Sequence, residues 1–175
     1  MLKGEVLMKV YSEDAVEYIA KLADGGLRDS LSMLDKCLSF NKDLTLKNVI
    51  KALGTVNYQI MFDLTDTVIT SDVKKMVKIV EKIHADGKDI KQFIGQYTQF
   101  ILDVNKFSKG CDFKYMQIPP LPEYEDWLES LEEEDLAVCR KLLEMLVTIG
   151  PQIKYSQAVK YDFEANLILL CKEQA

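Results

Sequence analysis

The stretch that most restricts the fold is Asp24-Gly25-Gly26, set between two runs whose apolar residues recur at the helical period. Upstream, Ala15, Val16, Ile19, Ala20 and Leu22 follow Ser12, a residue type that caps helix N-termini, and Glu13 and Asp14 fall where the helix dipole favours acids. Downstream, Leu27, Leu31, Leu34 and Leu38 mark one stripe, expected to be buried, on a helix over 27–40. Positive φ costs glycine nothing, so the pair can turn the chain where the first helix stops. Helix must follow helix across a tight corner.

Arg28 is the odd member of that second helix. A cation in the first turn meets the positive end of the dipole, unfavourable by a few tenths to ~1 kcal/mol, so a negative group is expected beside it. Asp29 or Asp35 can supply it. So can a phosphate, because a glycine-rich corner, free first-turn N–H groups and a guanidinium together attract anions.

The rest of the chain reads as a procession of capped amphipathic helices. Thr45 can cap a helix from Leu46, with Leu44 and Val49 at the two positions of a hydrophobic staple and Gly54 as its stop. Asn57 is placed to cap the next, which carries Ile60, Met61, Leu64 and Val68. Ser71 or Asp72 caps a helix with Val73, Met76, Val80 and Ile83 on one face, and Asp89 with Gln92 imitates a capping box ahead of Ile90, Phe93, Tyr97, Ile101 and Val104. Residues 108–122 contain three prolines and a glycine and are expected to be irregular, since proline removes a donor and restricts its predecessor. Tyr124, Trp127 and Leu128 suggest a short helix. The acidic run from Glu132 to Asp135 belongs at the N-terminus of a helix carrying Cys139, Leu142 and Leu146, with Gly150-Pro151 as its end. A last helix over 161–171 is apolar nearly all round, the pattern of an element covered on several sides, in the core or at a subunit contact. The fold class is all-α.

Composition bounds the chemistry. With 175 residues, 48% apolar and 29% charged, there is room for a real core. No run approaches the ~20 apolar residues of a membrane helix, and a cytoplasmic location is expected. Four cysteines are scattered without a Cys-x-x-Cys, and Cys37, Cys139 and Cys171 lie in helical apolar patterns, which fits buried free thiols better than zinc or disulfides. A net charge of −6 argues against a main nucleic-acid surface, because such binding rests on neutralising phosphates. The single histidine, His84, stands near a helix end, where a cation is favourable, and no second histidine or cysteine is near it in sequence. No Gly-x-x-x-x-Gly-Lys-[Ser/Thr] occurs and no apolar strand ends in an acidic pair, so neither a P-loop nor a magnesium site is expected. Ser30 and Ser32 have no general base to activate them.

The words around Arg28 carry more than their periodicity. Gly25-Gly26-Leu27-Arg28-Asp29-Ser30-Leu31-Ser32-Met33-Leu34-Asp35-Lys36 resembles the sensor-2 segment of the gamma/tau subunits of bacterial DNA polymerase III, which are AAA+ clamp-loader ATPases. The pattern of that family, Gly-x-x-Arg-Asp-Ala-x-Ser-x-x-Asp-Gln, falls on Gly25, Arg28, Asp29, Ser32 and Asp35, with Ser30 in place of the usual Ala and Lys36 in place of Gln. The passage from Leu44-Thr45 to Leu53-Gly54, and the string Phe163-Glu164-Ala165-Asn166-Leu167, are similar to the start and close of the family's collar region.

The resemblance implies a C-terminal part of the lid domain over 1–42 and a helical, oligomerising collar domain over 43–175. It implies that Arg28 contacts the nucleotide phosphates, with ATP as cofactor only in the intact parent subunit and none in this piece. The parent would be a clamp-loader ATPase within a DNA-directed DNA polymerase, a nucleotidyltransferase, while this piece would be inactive alone. Implied partners are other clamp-loader subunits in a ring and, indirectly, the sliding clamp and primed DNA. The competing expectation is an all-helical interaction adaptor with no nucleotide link. Met1 is read either as a native start or as the trimmed end of a longer polypeptide.

Overall fold

A computed structural model describes residues 11–23, 26–53, 58–87, 89–118 and 122–172. Expectations resting on 1–10, on Asp24-Gly25, on Gly54 and on Asn57 lie outside the described residues, as does the stretch 119–121. Among the described residues there are nine α-helices and one 3-10 turn, and the only strand-like pairing is an isolated bridge between Tyr11 and Leu44. The chain is all-α. It divides into two compact units, Met1–Val56 and Asn57–Ala175.

The first unit holds α1 (Glu13–Leu22), α2 (Leu27–Phe40) and α3 (Leu46–Leu53), each packed on the other two. The domain boundary read from the sequence precedes Asp43; the compact units part after Val56 because α3 packs on α1 and α2. Ala15, Tyr18 and Ile19 form the buried face of α1, and Leu46, Val49 and Leu53 that of α3. Thr45 Oγ1 accepts from Asn48 N at 3.3 Å, and Leu44 and Val49 are both buried, so the cap and staple form as their spacing requires. Ser12 stands at the N-cap of α1, yet its hydroxyl does not cap: Ser12 N donates to Leu44 O at 3.0 Å, and the side chain turns to the same carbonyl. On α2 the expected burial is overturned. Leu27 and Leu31 are 75% and 56% exposed, and the helix's buried residue is Cys37, which lies on a different face from the leucines.

The second unit contains α4 (Tyr58–Ile69), α5 (Val73–Ala85), α6 (Ile90–Phe107), the 3-10 turn (Phe113–Tyr115), α7 (Pro122–Glu129), α8 (Glu133–Ile153) and α9 (Val159–Lys172). Its core is centred on α6, which packs on α8 and α9, while α4 packs on α5, α8 and α9. Tyr97 of α6 is fully buried, and its hydroxyl is satisfied by Thr65 Oγ1 at 3.0 Å, which in turn donates to Met61 O. Aromatic rings continue the core: Phe62 meets Phe100 edge-on at 5.1 Å and Trp127 at 4.5 Å.

Caps set the corners here. Asp72 accepts from Lys75 N at 2.9 Å, preceded by Ser71 in the left-handed region at φ 54°, and Asp89 accepts from Lys91 N and Gln92 N. Glu132 N donates to Asp135 at 3.0 Å, so the acidic run serves the start of α8. Helix α8 runs on to Ile153, past the Gly150-Pro151 expected to end it. Proline so near a C-terminus removes one bond only, and Val147, which loses that donor four residues later, is exposed to water. Among the described residues no helix is long and apolar enough to cross a membrane.

Candidate functional site

The site is the start of α2. Gly26 is its N-cap, extended at φ −75° and ψ 105°, and it offers no side chain to the first-turn donors. Gly26 N closes the corner on Ala23 O at 2.8 Å, while Ser30 N and Ser30 Oγ both donate to Gly26 O at 2.9 Å. The reason for glycine at this position is therefore not positive φ. A Cβ on Gly26 would stand 3.1 Å from Ala23 O and 3.2 Å from Asp29 Oδ2, so the close approach of the two helix ends excludes a side chain unless they shift.

Arg28 projects into solvent from this turn. Among the described residues it forms no ion pair: Asp29 and Asp35, the two acids expected to compensate it, are exposed and stand apart from it in that respect. A guanidinium beside first-turn N–H groups that Gly26 leaves without a side-chain cap can attract an anion, against the opposing charge of Asp29 in the same turn.

Other candidates resolve into structural roles. His84 is exposed near the end of α5, on a polar groove of 490 Å³ that also holds Asp89, Lys91 and Lys160. Lys91 Nζ there donates to Lys154 O, and Lys160 pairs with Glu81 between α9 and α5. Burial raises the nearby Glu164 carboxyl, with Lys160 opposing the shift. Among the described residues no three His, Cys, Asp or Glu side chains stand together to hold a metal. Cys37, Cys139 and Cys171 are buried and Cys111 is exposed; burial pushes the Cys139 thiol up to about 12.

Two features gave no sequence signal. Asp103, fully buried on α6, accepts from Gln117 N and Ile118 N and from Lys106 Nζ, pinning the 3-10 segment to the helix. Periodicity sets Asp103 on a flank of the apolar stripe but cannot say which backbone donors a distant loop will bring. The second is the exposure of the α2 stripe: its leucines were legible, but not that Leu31, with Val16 of α1, stays largely open to solvent.

No family model matches the chain. It is 22% identical over 161 residues, 91% of its length, to DNA polymerase III subunit tau of Bacillus subtilis, and 29% identical over 158 residues, 89% of its length, to DNA polymerase III subunit gamma of Buchnera aphidicola from Acyrthosiphon pisum. The chain is a relative of the DNA polymerase III gamma/tau subunits. It is also 31% identical over 94 residues, 54% of its length, to Protein STICHEL-like 2 of Arabidopsis thaliana. The chain spans 28%, 43% and 11% of these three relatives respectively, so gamma/tau likeness extends through both compact units here but takes in less than half of any of them.

Proposed function

We propose that this chain is the lid-to-collar portion of a gamma/tau-type clamp-loader subunit, acting in DNA replication in the cytoplasm. In this reading Arg28 is the sensor-2 arginine. The ATP it senses is bound by the intact parent subunit, and ATP state is passed to the lid through the tilt of α2. The helices of the collar hold the subunit in a ring with other clamp-loader subunits, which load the sliding clamp on primed DNA. The observation that carries the reading is an exposed Arg28, unpaired among the described residues, on a glycine-capped first turn within the family's Gly-x-x-Arg-Asp motif. At that corner a phosphate could be met by the Arg28 guanidinium and by first-turn donors to which Gly26 offers no side-chain cap, with Asp29 of the same turn opposing it.

Arg28→Ala in the intact subunit, assembled with its partners, is expected to lower ATP-dependent clamp loading by ~10- to 100-fold, the worth of one charge-assisted contact to a phosphate, while sizing of the assembly stays the same. Unchanged loading removes the sensing role. One observation favours the adaptor reading as a second: Leu169 on α9 is 58% exposed, an apolar side chain available to a partner. Partner binding by the chain that needs Leu169 and is indifferent to ATP, with clamp loading unchanged by Arg28→Ala, would support the adaptor instead.

A further inference from the structure

Asp29 is a charge without a partner in a crowded place. A Cβ on Gly26 would stand 3.2 Å from its Oδ2 and 3.6 Å from its Cβ, so the carboxylate folds back against the N-cap residue, where the side chain of a capping residue would otherwise lie. It does not complete a capping box, because Gly26 N donates to Ala23 O at 2.8 Å instead, and Asp29 makes no hydrogen bond or ion pair among the described residues. Nor does it neutralise Arg28. Neighbouring side chains on a helix diverge by about 100°, and Arg28 is exposed and without an ion pair among the described residues. The dipole favours a carboxylate at this end of α2, and for the same reason the place it takes is the one an outside anion would seek.

We propose that Asp29 is a built-in competitor of the phosphate. It screens the first-turn N–H groups, leaves recognition to the Arg28 guanidinium, and repels whatever anion that guanidinium holds, which keeps the contact weak enough to be released when the nucleotide changes. Its effect is largest on the phosphate nearest Arg28, so Asp29 sets how strongly a nucleoside triphosphate is preferred over a diphosphate. The inference rests on the sensor reading of Arg28 and names a residue that tunes the specificity of that same corner.

The test measures ATP and ADP affinity of the intact subunit by equilibrium titration at low and high salt, for the wild type, Asp29→Asn, Asp29→Glu, Arg28→Ala and the double variant, each checked for unchanged circular dichroism. Asp29→Asn removes the charge and keeps the shape; it should bind ATP about fivefold or more tighter and ADP by a smaller factor, and the gain should shrink as salt rises. Asp29→Glu keeps the charge and should stay within about twofold of the wild type. In the double variant the gain should vanish, since the repulsion acts on an anion that Arg28 holds. ATP affinity that is unchanged or lower in Asp29→Asn, while Arg28→Ala weakens ATP binding, overturns the competitor and spares the sensor reading. ATP affinity unchanged by Arg28→Ala removes the sensor reading and the competitor with it. A gain equal for ATP and ADP, or one that survives in the double variant, also overturns the proposal, because it assigns the effect of Asp29 to the helix itself and not to the phosphate beside Arg28.

Discussion

Asp103→Ala offers the most direct test of how the second unit is held together. The carboxylate is fully buried, and two backbone donors, Gln117 N and Ile118 N, end on the same oxygen, while Lys106 Nζ meets the other at 3.0 Å. Alanine leaves Ile118 N–H buried without a partner, and each hydrogen bond to a charged acceptor is worth about 1.5 to 3 kcal/mol. Lys106 is 29% exposed and also donates to Tyr115 O, so it recovers hydration, and the cost falls toward the lower end of the 3 to 5 kcal/mol typical of breaking a buried pair. Taking ~3 kcal/mol and a urea slope of ~2 kcal/mol/M, the unfolding midpoint should drop by about 1.5 M. Trp127, the single tryptophan, reports it, since its ring lies against Phe62 and Phe100 in that core. Asp103→Asn keeps the shape but turns one acceptor into a donor and should fall between. Asp112→Ala gives the scale of an exposed loss at the same segment: its 3.8 Å pair with Lys114 is worth less than ~0.5 kcal/mol, while the cap it places on Lys114 N at 3.0 Å adds about 1 kcal/mol. A midpoint change below about 0.3 M for Asp103→Ala would show that the 3-10 segment is held by Met116 and Ile118 burial alone, and the clamp would have to be abandoned.

Two further outcomes follow from burial acting on charge. Asp66 accepts from Trp127 Nε1 at 3.0 Å, but burial, helped by Asp63 and Asp135, raises its carboxyl above the usual range despite that donor. A raised acid pKa means the folded state favours the protonated form, so Asp66's contribution is fully present below its unfolded pKa and is lost as pH climbs through the folded one. Asp66→Asn keeps the acceptor and drops the charge; its unfolding free energy, read from urea titration, should exceed the wild type's at pH 7 by a solvent-screened few tenths of a kcal/mol, a gap that closes toward pH 4, and a variant less stable at pH 7 contradicts the reasoning. For the thiols, burial raises Cys37, Cys139 and Cys171, whereas Cys111 lies in the open. A chromogenic disulfide reagent should therefore titrate one thiol quickly in the native protein and four in urea, and a second fast native thiol would mean one of the three helical cysteines is not where the packing puts it.

Helices were legible wherever a cap and a stripe agreed. Asp72, Asp89 and Thr45 each sit one residue before a helix, accept from the first turn, and face an apolar run whose members are buried. Local chemistry decides such corners, so local reading suffices. It failed where the answer lay elsewhere in the chain. Ser12 has the right type for a cap, yet Leu44 O competes for its hydroxyl, and the helix beyond Gly150-Pro151 survives because its exposed carbonyl can turn to water. Asp103 shows the same limit, because its donors come from a segment no period could bring to it.

The leucines of α2 and the last helix mark a deeper limit. Leu27, Leu31, Leu34 and Leu38 were expected to be buried, yet Leu27 and Leu31 are more than half exposed; Leu169, expected to be covered in the core or at a subunit contact, is 58% exposed and so not covered by the core. A stripe fixes which side chains share a face; it says nothing of whether this chain or another fills the space opposite. On α2, Arg28 stands one turn before Leu31, so the element that carries the most specific motif in the chain is also one whose apolar side the described residues of its unit leave partly exposed.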